Sequence, residues 1–428
     1  MTESGSGVGS GVGSDSESQP QAGPPNAWDR RMRAQIDEVI EGGRWRSPRQ
    51  FDAFGPTGDL EDMPAGGSDS TPIVSFASND YLGLSVHPGV IEAAGEALKR
   101  WGAGSGASRL VTGSRPVHTE LERALADWKD CEAAVCFPTG FAANLGVLSV
   151  LGGPEVRVLS DELNHASIID GCRLSKSRVS IYRHCDMVHL EELLGEGLGE
   201  RSGEDVHSVA PTLVVTDTVF SMDGDMAPMD DIAELCRRYG ALLLVDEAHA
   251  VLGPDLSGLA DDDLTLVRVG TLSKTLGSLG GFVAGSQRVI DLMVNLARSY
   301  IFTTALTPAD AAAALAAVEI LRSSEGDALV ARLRGFVDAV ASPDHASPIV
   351  PVILGSEERA LAASATLLNK GLWVPAIRPP TVPAGTSRLR VTLSAAHTDA
   401  QVGHLIGALN ALQSPSELTA SGALASSG

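Results

Sequence analysis

Positively charged residues are scarce in this sequence. It contains 32 Lys and Arg against 54 Asp and Glu, which gives a formal net charge of −22 at pH 7. A chain with this balance is not expected to present the broad basic surface that nucleic acids or anionic membranes attract. If its substrate is anionic, the positive groups that bind it must be local.

Cysteines and long apolar runs are scarce as well. The five cysteines form no C-x-x-C pair and no finger-like pattern with histidines, which predicts reduced thiols and no structural zinc. No run reaches the roughly 18 apolar residues that a membrane-spanning helix needs. The first residues also lack the basic and apolar regions of a signal peptide. We therefore expect a cytoplasmic protein without a membrane segment.

The sequence does contain a long globular stretch between two polar tails. Its 428 residues are 43% hydrophobic, enough for a large core and two domains. The predicted organisation is a Gly/Ser-rich tail at 1–26, an N-terminal segment at 27–72, a large domain at 73–305, a smaller C-terminal domain at 306–413 and a loose tail at 414–428.

The pattern of the large domain is typical of βαβ units. Short apolar runs alternate with amphipathic stretches, which predicts an α/β fold with a mostly parallel sheet, and the smaller C-terminal domain is predicted to be α+β. The predicted strands of the large domain are 134–137, 156–159, 179–182, 213–216, 242–246, 267–270 and 281–284.

Lys274 follows one of these strands and is a candidate nucleophile. The residues around it are small or apolar and include Gly277 and Gly280. Burial disfavours a charged amine, so a lysine in such a place has a lowered pKa and can form a Schiff base. The alternative is an ordinary solvated lysine.

Asp246 ends an apolar strand, at the sheet edge where open α/β folds bind ligands. An unpaired charge is costly there. Asp246 is therefore either a helix cap or ion-pair partner, or it holds a ring nitrogen protonated, as pyridoxal phosphate requires when it acts as an electron sink. His249 could hydrogen-bond a phenolic oxygen on the same ring.

Three further polar groups follow predicted strands. Gly140 and Phe141 begin a helix, and the N–H groups of a helix N-terminus bind phosphate, although an ordinary turn has the same pattern. His165 could stack on a flat ring or cap the next helix, and Ser221 could contact a ligand or belong to a turn. Because all of these groups are expected at one edge of the sheet, together they favour a ligand-binding site there.

Other enzyme classes lack their motifs in this sequence. The glycine-rich segment at 102–107 follows a predicted helix and not a strand, which argues against a dinucleotide site. There is no G-x-S-x-G elbow, P-loop or H-E-x-x-H motif. His184 and His189 flank a predicted helix start, and we expect both to be solvated. No metal site is predicted.

Seven motifs, taken together and in order, resemble the α-oxoamine synthases. These fold-type I pyridoxal-phosphate enzymes join an amino acid to an acyl thioester with loss of carbon dioxide. The resemblance extends from about residue 29 to residue 412. The motifs are SNDYLGL at 78–84, GSG at 104–106, GFAAN at 140–144, NHAS at 164–167, FSMDGD at 220–225, DEAH at 246–249 and SK at 273–274.

The resemblance implies roles for individual residues. Lys274 would carry pyridoxal 5'-phosphate, Asp246 would bind the ring nitrogen, and His165 would stack on the ring and contact the acyl oxygen. Other expected cofactor contacts are Gly140, Phe141, Ser221, His249 and Thr271, together with Thr304, which would reach the phosphate of a partner subunit in a homodimer with shared sites. The expected substrate-binding residues are Arg378 for the amino-acid carboxylate and Asn79, Thr381 and Arg44.

The segment AIRPPTVPAGTSRLR at 376–390 is similar to the family members that condense L-alanine with a pimeloyl thioester in biotin synthesis. Coenzyme A and acyl carrier protein both remain open as the carrier of the pimeloyl group. One alternative is a sister synthase that uses glycine and another acyl-CoA. A second is a non-catalytic cofactor-binding relative, against which the retained Lys274, Asp246 and Arg378 argue.

The sequence departs from the family pattern directly after His249. Many relatives continue with a longer glycine-rich loop, whereas here residues 250–254 lead into a shorter segment that ends in three aspartates at 261–263. The conformation of this loop is therefore left open.

Overall fold

A computed structural model describes residues 26–62, 71–199 and 210–413. The predicted C-terminal tail and all of the predicted N-terminal tail except Asn26 lie outside the described residues. The chain divides into two units. Of the described residues, 26–50 and 61–62 belong to the first unit, and 51–60 with 71–413 belong to the second.

Thirteen α-helices are formed by the described residues. They are α1 Ala27–Glu41, α2 Pro88–Trp101, α3 Pro116–Trp128, α4 Gly140–Leu151, α5 Ala166–Ser175, α6 Met187–Gly199, α7 Met229–Tyr239, α8 Gln287–Leu296, α9 Arg298–Ile301, α10 Pro308–Leu321, α11 Ser324–Val340, α12 Glu357–Asn369 and α13 Asp399–Gln413.

The same residues form fourteen strands. They are β1 Arg49–Phe54, β2 Thr57–Asp62, β3 Thr71–Ser75, β4 Ala133–Phe137, β5 Arg157–Asp161, β6 Arg178–Tyr182, β7 Thr212–Asp217, β8 Leu242–Asp246, β9 Leu266–Thr271, β10 Gly281–Gly285, β11 Ile349–Gly355, β12 Leu372–Trp373, β13 Ala376–Ile377 and β14 Ser387–Thr392.

The seven strands predicted for the large domain form one sheet, in the order β4-β10-β9-β8-β7-β5-β6. Each lies within two residues of its predicted bounds. The five strands from β9 to β6 are parallel to one another, and β10 is antiparallel to both β4 and β9. Apolar runs such as that of β8 suit this sheet because helices cover both of its faces. The predicted α/β fold is confirmed.

Two smaller sheets complete the strand pairing. One has the order β11-β14-β13, and the other has the order β1-β2-β3-β12. Helix α12 packs on the three-stranded sheet, while α10 packs on α2 and α3. The predicted boundary between residues 305 and 306 stays a prediction.

The carboxyl ends of the parallel strands carry the candidate residues. Strands β7 and β8 pair in a register that places Asp217 beside Asp246.

In the first unit, Asn26 caps α1 through a reciprocal pair of hydrogen bonds with Asp29. Among the described residues, no helix is both long and apolar enough to cross a membrane.

Candidate active site

A cavity of about 250 Å³ opens at the carboxyl edge of the seven-stranded sheet. Eight of the nine residues predicted to contact the cofactor line this cavity. They are Gly140, Phe141, His165, Ser221, Asp246, His249, Thr271 and Lys274. Thr304, the ninth, is exposed and does not line the cavity. The fold therefore gathers residues that are 134 positions apart in sequence.

Lys274 is held against His249. Its Nζ atom lies 2.7 Å from His249 Nε2, in a turn where Gly277 donates its N–H to the carbonyl of Lys274. Burial lowers the pKa of Lys274, and the positive charge of Arg390 acts in the same direction, whereas Asp246 and Asp217 oppose it. The amine is thus partly prepared for nucleophilic chemistry.

His249 is itself buried and neutral in character. Burial lowers the pKa of His249 well below its usual value, and the cations Lys274 and Arg390 lower it further. Its other ring nitrogen, Nδ1, lies 2.5 Å from the hydroxyl of Tyr81. The sequence indicated no role for Tyr81, although it lies in the first family motif.

Asp246 projects into the cavity from the end of β8. Asn144 Nδ2 donates to Asp246 Oδ2 at 2.7 Å, and the N–H of Ala248 donates to Asp246 Oδ1 at 2.9 Å. Asn144 lies on α4 one turn after Gly140, and its Oδ1 atom is buried with no hydrogen-bond partner among the described residues. Both direct partners of the carboxylate are neutral.

Asp217 is a second carboxylate at this edge that sequence reasoning missed. It lines the cavity, and its Oδ2 atom accepts the N–H of His165 at 2.8 Å. Burial raises the pKa of Asp217 well above its usual range, and the charge of Asp246 raises it further. The rule that identified Asp246 could have found it, because Asp217 likewise ends an apolar strand.

His165 is the N-cap of α5, which is one of the two roles that the sequence left open; its role in stacking on a ring stays a prediction. Its Nδ1 atom accepts the N–H of Ser167 at 3.2 Å, which caps the helix. Its ring also lines the cavity and packs edge to face with Phe141, with 6.4 Å between ring centroids. Burial lowers the pKa of His165.

The start of α4 supplies candidate anion-binding groups. Thr139 caps this helix by accepting the N–H of Ala142 at 3.0 Å, and the first N–H groups of a helix have no partner within it. A Cβ atom on Gly140 would lie 3.2 Å from Thr271 Cβ, so glycine permits this close approach. Hydroxyls of Thr271 and Ser273 lie 2.7 Å apart beside the same helix end.

Arg390, on β14, is a buried cation near the site that the sequence did not indicate. Its Nε atom donates to the carbonyl of Ser221 at 2.6 Å, and its Nη2 atom donates to Asn79 Oδ1 at 3.1 Å. Arg388, two residues earlier on the strand, pairs with Asp223. The alternating Arg-Leu-Arg of β14 was the available signal.

The predicted substrate-binding residues lie in several places. Arg378 follows β13 and is 3.4 Å from Glu357 at the start of α12. Asn79 contacts Arg390, and Thr381 is exposed. None of these three lines the 250 Å³ cavity. Arg44 belongs to the first unit, where its Nη2 atom lies 3.7 Å from Glu38. Their roles stay predictions.

The expectation that His184 is solvated was wrong. Its two ring nitrogens lie 3.0 Å from Asp161 Oδ1 and 2.7 Å from Asp225 Oδ2. These hydrogen bonds raise the pKa of His184 to about 12, against the opposing effect of burial. The ligand atoms of Asp161, His184 and Cys185 lie within 4.8 Å of one another, a spacing that could hold a metal ion. Each imidazole nitrogen of His184 faces a carboxylate, so a protonated ring, which donates from both nitrogens, accounts for these contacts.

Comparison with known proteins identifies the family. The family model described as aminotransferase class I and II matches residues 71–409. The chain belongs to this family.

Within this family, the chain is similar to proteins named 8-amino-7-oxononanoate synthase. The chain is 51% identical over 353 residues to 8-amino-7-oxononanoate synthase of Anaeromyxobacter dehalogenans (strain 2CP-1), covering 79% of this chain and 86% of that protein. It is 48% identical over 345 residues to the synthase of Methylobacterium nodulans, covering 80% and 87%. The predicted family resemblance is confirmed.

Solved structures of family members share the fold. An SPT structure with a PLP internal aldimine has a TM-score of 0.76 and 30% identity, covering 91% of this chain and 98% of that chain. An 8-amino-7-oxononanoate synthase from Francisella tularensis has a TM-score of 0.63 and 26% identity, covering 79% and 96%. The predicted fold-type I architecture is confirmed.

Proposed function

We propose that this protein catalyses the decarboxylative condensation of L-alanine with a pimeloyl thioester to give 8-amino-7-oxononanoate, a step of biotin synthesis. The observation that carries the proposal is the identity of about 50% to synthases of that name over about four fifths of the chain. The cavity that gathers Lys274, Asp246 and His249 supplies matching chemistry.

The residues of the cavity fit pyridoxal phosphate, the predicted cofactor. Asp246 is 6% exposed, and its hydrogen-bond donors among the described residues are all neutral, so a pyridine ring with a protonated nitrogen would supply the missing positive partner. The start of α4 at Gly140 and Phe141, with Thr271, would hold the phosphate. The comparisons confirm the cofactor and the enzyme class, because the family and its solved members are pyridoxal-phosphate enzymes.

The side chains divide the chemistry among them. Bound pyridoxal phosphate supplies an electron sink for a carbanion at the amino-acid Cα. Lys274 would hold the cofactor, and its amine would remove the amino-acid Cα proton, a contribution of roughly 10²- to 10⁴-fold for a positioned base. Asp246 would hold a proton on the ring nitrogen. His165 would lie against the ring and donate a hydrogen bond to the acyl oxygen.

Substrate binding is assigned to residues outside the cofactor cavity. Arg378 binds the alanine carboxylate through two parallel hydrogen bonds, a geometry for which the guanidinium fork is suited. It would exchange its 3.4 Å contact with Glu357 for the substrate. Asn79, Thr381 and Arg44 face the substrate. The pimeloyl group arrives on coenzyme A or on acyl carrier protein.

The assembly belongs to the same proposal. The enzyme is a cytoplasmic homodimer with shared active sites, in which Thr304 of each subunit contacts the phosphate bound by the other. The exposure of Thr304 supports this role, because a contact to a second subunit requires a group at the surface. Residues 73–305 form the cofactor domain, and residues 306–413 form the smaller domain.

A substrate matrix tests the reaction. The purified protein with pyridoxal phosphate is offered L-alanine, glycine or L-serine, each with pimeloyl-CoA, pimeloyl-acyl carrier protein, acetyl-CoA or palmitoyl-CoA. Mass spectrometry should detect 8-amino-7-oxononanoate only with alanine and a pimeloyl thioester, and the Lys274→Ala variant should make none. Turnover confined to glycine and another acyl thioester would instead indicate a sister synthase, and no turnover with any pair would favour a non-catalytic relative.

A further inference from the structure

A continuous row of polar contacts connects Lys274 to β14 through the buried Tyr81. Lys274 Nζ lies 2.7 Å from His249 Nε2, and His249 Nδ1 lies 2.5 Å from the Tyr81 hydroxyl. The same hydroxyl lies 3.2 Å from Asn79 Oδ1, which also accepts a hydrogen bond from Arg390 Nη2 at 3.1 Å. Tyr81 is fully buried.

The direction of each hydrogen bond follows from what each group can donate. A guanidinium can only donate, so the amide oxygen of Asn79 must be the atom that faces Arg390. This oxygen is also the atom that faces Tyr81, and it can only accept. The Tyr81 hydroxyl therefore donates its one hydrogen bond to Asn79 Oδ1. The Tyr81 oxygen in turn accepts a hydrogen bond from the N–H at His249 Nδ1.

The opposite direction leaves two acceptors facing each other. If Tyr81 donated to His249 Nδ1, its oxygen and Asn79 Oδ1 would meet at 3.2 Å with no proton between them. His249 would then carry its proton on Nε2, pointing at the Lys274 amine. Arg390 would still donate to Asn79 Oδ1, but two oxygens that meet at 3.2 Å without a shared proton repel each other, so the first arrangement is favoured.

We propose that Tyr81 is a positioning residue, which fixes the Nδ1–H tautomer of His249 and thereby leaves the Nε2 lone pair to accept an N–H of Lys274. An amine that donates to His249 keeps its own lone pair available for the cofactor. With the other tautomer, His249 Nε2–H would donate a hydrogen bond to the Lys274 nitrogen, and the lone pair of that nitrogen could then not attack the cofactor. This consequence rests on the proposed function, in which Lys274 is the residue that binds the cofactor.

The test measures covalent attachment of pyridoxal phosphate to the cofactor-free protein, followed by absorbance and by borohydride trapping. Tyr81→Phe should attach the cofactor about 5- to 150-fold more slowly, the range that corresponds to one buried group losing its hydrogen-bond partner. The matched control is Tyr182→Phe, because Tyr182 is equally buried but does not line the cavity. Its attachment rate should be unchanged.

A double variant separates positioning from a general structural role. If Tyr81 acts through His249, adding Tyr81→Phe to His249→Ala should produce no further slowing. An undiminished rate in Tyr81→Phe, or a slowing that is fully retained in the His249→Ala background, would overturn the inference.

Nitrogen NMR of histidine-labelled wild-type protein gives an answer even if Tyr81→Phe does not fold. The His249 signal, assigned with His249→Gln, should show the proton on Nδ1, and a proton on Nε2 would overturn the inference. The proposed function fails separately, if wild-type protein does not attach pyridoxal phosphate through Lys274.

Discussion

Asp246 and Glu247 are consecutive acidic residues with different surroundings. They are 6% and 9% exposed, so burial does not distinguish them. Asp246 projects into the 250 Å³ cavity and receives hydrogen bonds from the neutral groups of Asn144 and Ala248. Glu247 has two cationic partners. Successive side chains at a strand end point to opposite faces, which separates the two carboxylates.

The partners of Glu247 compensate its charge completely. Arg268 donates from Nε to Oε2 at 2.8 Å and from Nη2 to Oε1 at 2.7 Å, and Lys129 Nζ lies 3.2 Å from Oε1. Burial would raise the pKa of Glu247, but these two cations lower it below its usual value. The loop after His249 lies beside this cluster and lines a second cavity of about 450 Å³ with it.

The difference between the two carboxylates supports the proposal that Asp246 is the functional one. A structural buried charge has its ionic partners within the chain, whereas a binding group keeps capacity for a ligand. Changes on the Asp246 side should therefore remove activity and spare stability. Changes on the Glu247 side should do the reverse.

The largest effect is expected from Lys274→Ala. This variant removes the amine that we propose binds the cofactor, so turnover and the borohydride-trapped adduct should both be abolished. Its melting temperature should not fall, because a buried amine is costly to desolvate. Lys99→Ala, an exposed change on α2, is the control. An adduct on another lysine, such as Lys176, would contradict the assignment.

Asp246→Asn should reduce turnover by roughly 10²- to 10⁴-fold, the range for a positioned group that controls a proton. The amide cannot hold a proton on the ring nitrogen, and it can keep only one of the two hydrogen bonds from Asn144 and Ala248, because its nitrogen donates and does not accept. Steady-state kinetics and thermal melting measure the two effects side by side. Near wild-type turnover would show that another group serves the nitrogen.

Glu247→Gln should cost about 3–5 kcal/mol of unfolding free energy, because it leaves two buried cations without their anion. Cofactor attachment by the folded protein should persist. Denaturant unfolding measures the loss, with Glu234→Gln, an exposed change on α7, as the control. Equal stability of wild type and variant would remove the distinction between the two carboxylates.

The contribution of Glu247 to the stability of the folded protein depends on pH. The pKa of Glu247 is lower in the folded protein, so its contribution is present above the pKa of the unfolded chain and is lost as pH falls through the folded value. The stability difference between wild type and Glu247→Gln should therefore shrink in acid. A difference that grows in acid would show that Glu247 is not the anion of this cluster.

Arg378→Lys should weaken alanine binding by about 1.5–3 kcal/mol, the range for hydrogen bonds to charged groups. Lysine keeps the charge but cannot form the two parallel hydrogen bonds of the guanidinium. Cofactor attachment should survive, since its contacts come from other segments. Spectroscopic titration with L-alanine measures the change, and an unaltered dissociation constant would exclude Arg378 from the site.

The smallest effect is expected from His184→Gln, at about 1 kcal/mol of stability, because this ion pair is partly exposed to solvent. The folded pKa of about 12 lies above the unfolded value of 6.5, so the contribution is full below pH 6.5 and declines as pH rises toward 12. Melting temperatures across this range test the trend. A stability difference that does not change with pH would contradict it.

The strand-end rule explains how much of the site could be predicted. Polar residues after apolar strands identified Asp246, Lys274, Ser221 and the start of α4, and the structure brings them to one cavity. The same rule applied to 212–217 would have found Asp217. It could not have found Tyr81, because that residue precedes α2 and belongs to no strand of the seven-stranded sheet.

The amino-acid sequence by itself determined the family and the seven strands of the central sheet, and it predicted which lysine binds the cofactor. These depend on local patterns, namely apolar strands, glycine turns and motifs in a fixed order. The protonation and pairing of the charged groups were decided only by the tertiary structure. Burial and contacts between distant residues set those properties, as when Asp161 and Asp225 raise the pKa of His184 while burial and Lys274 lower that of His249. Two histidines in one chain thus acquire different charge states, and no local sequence pattern predicts which of them is charged.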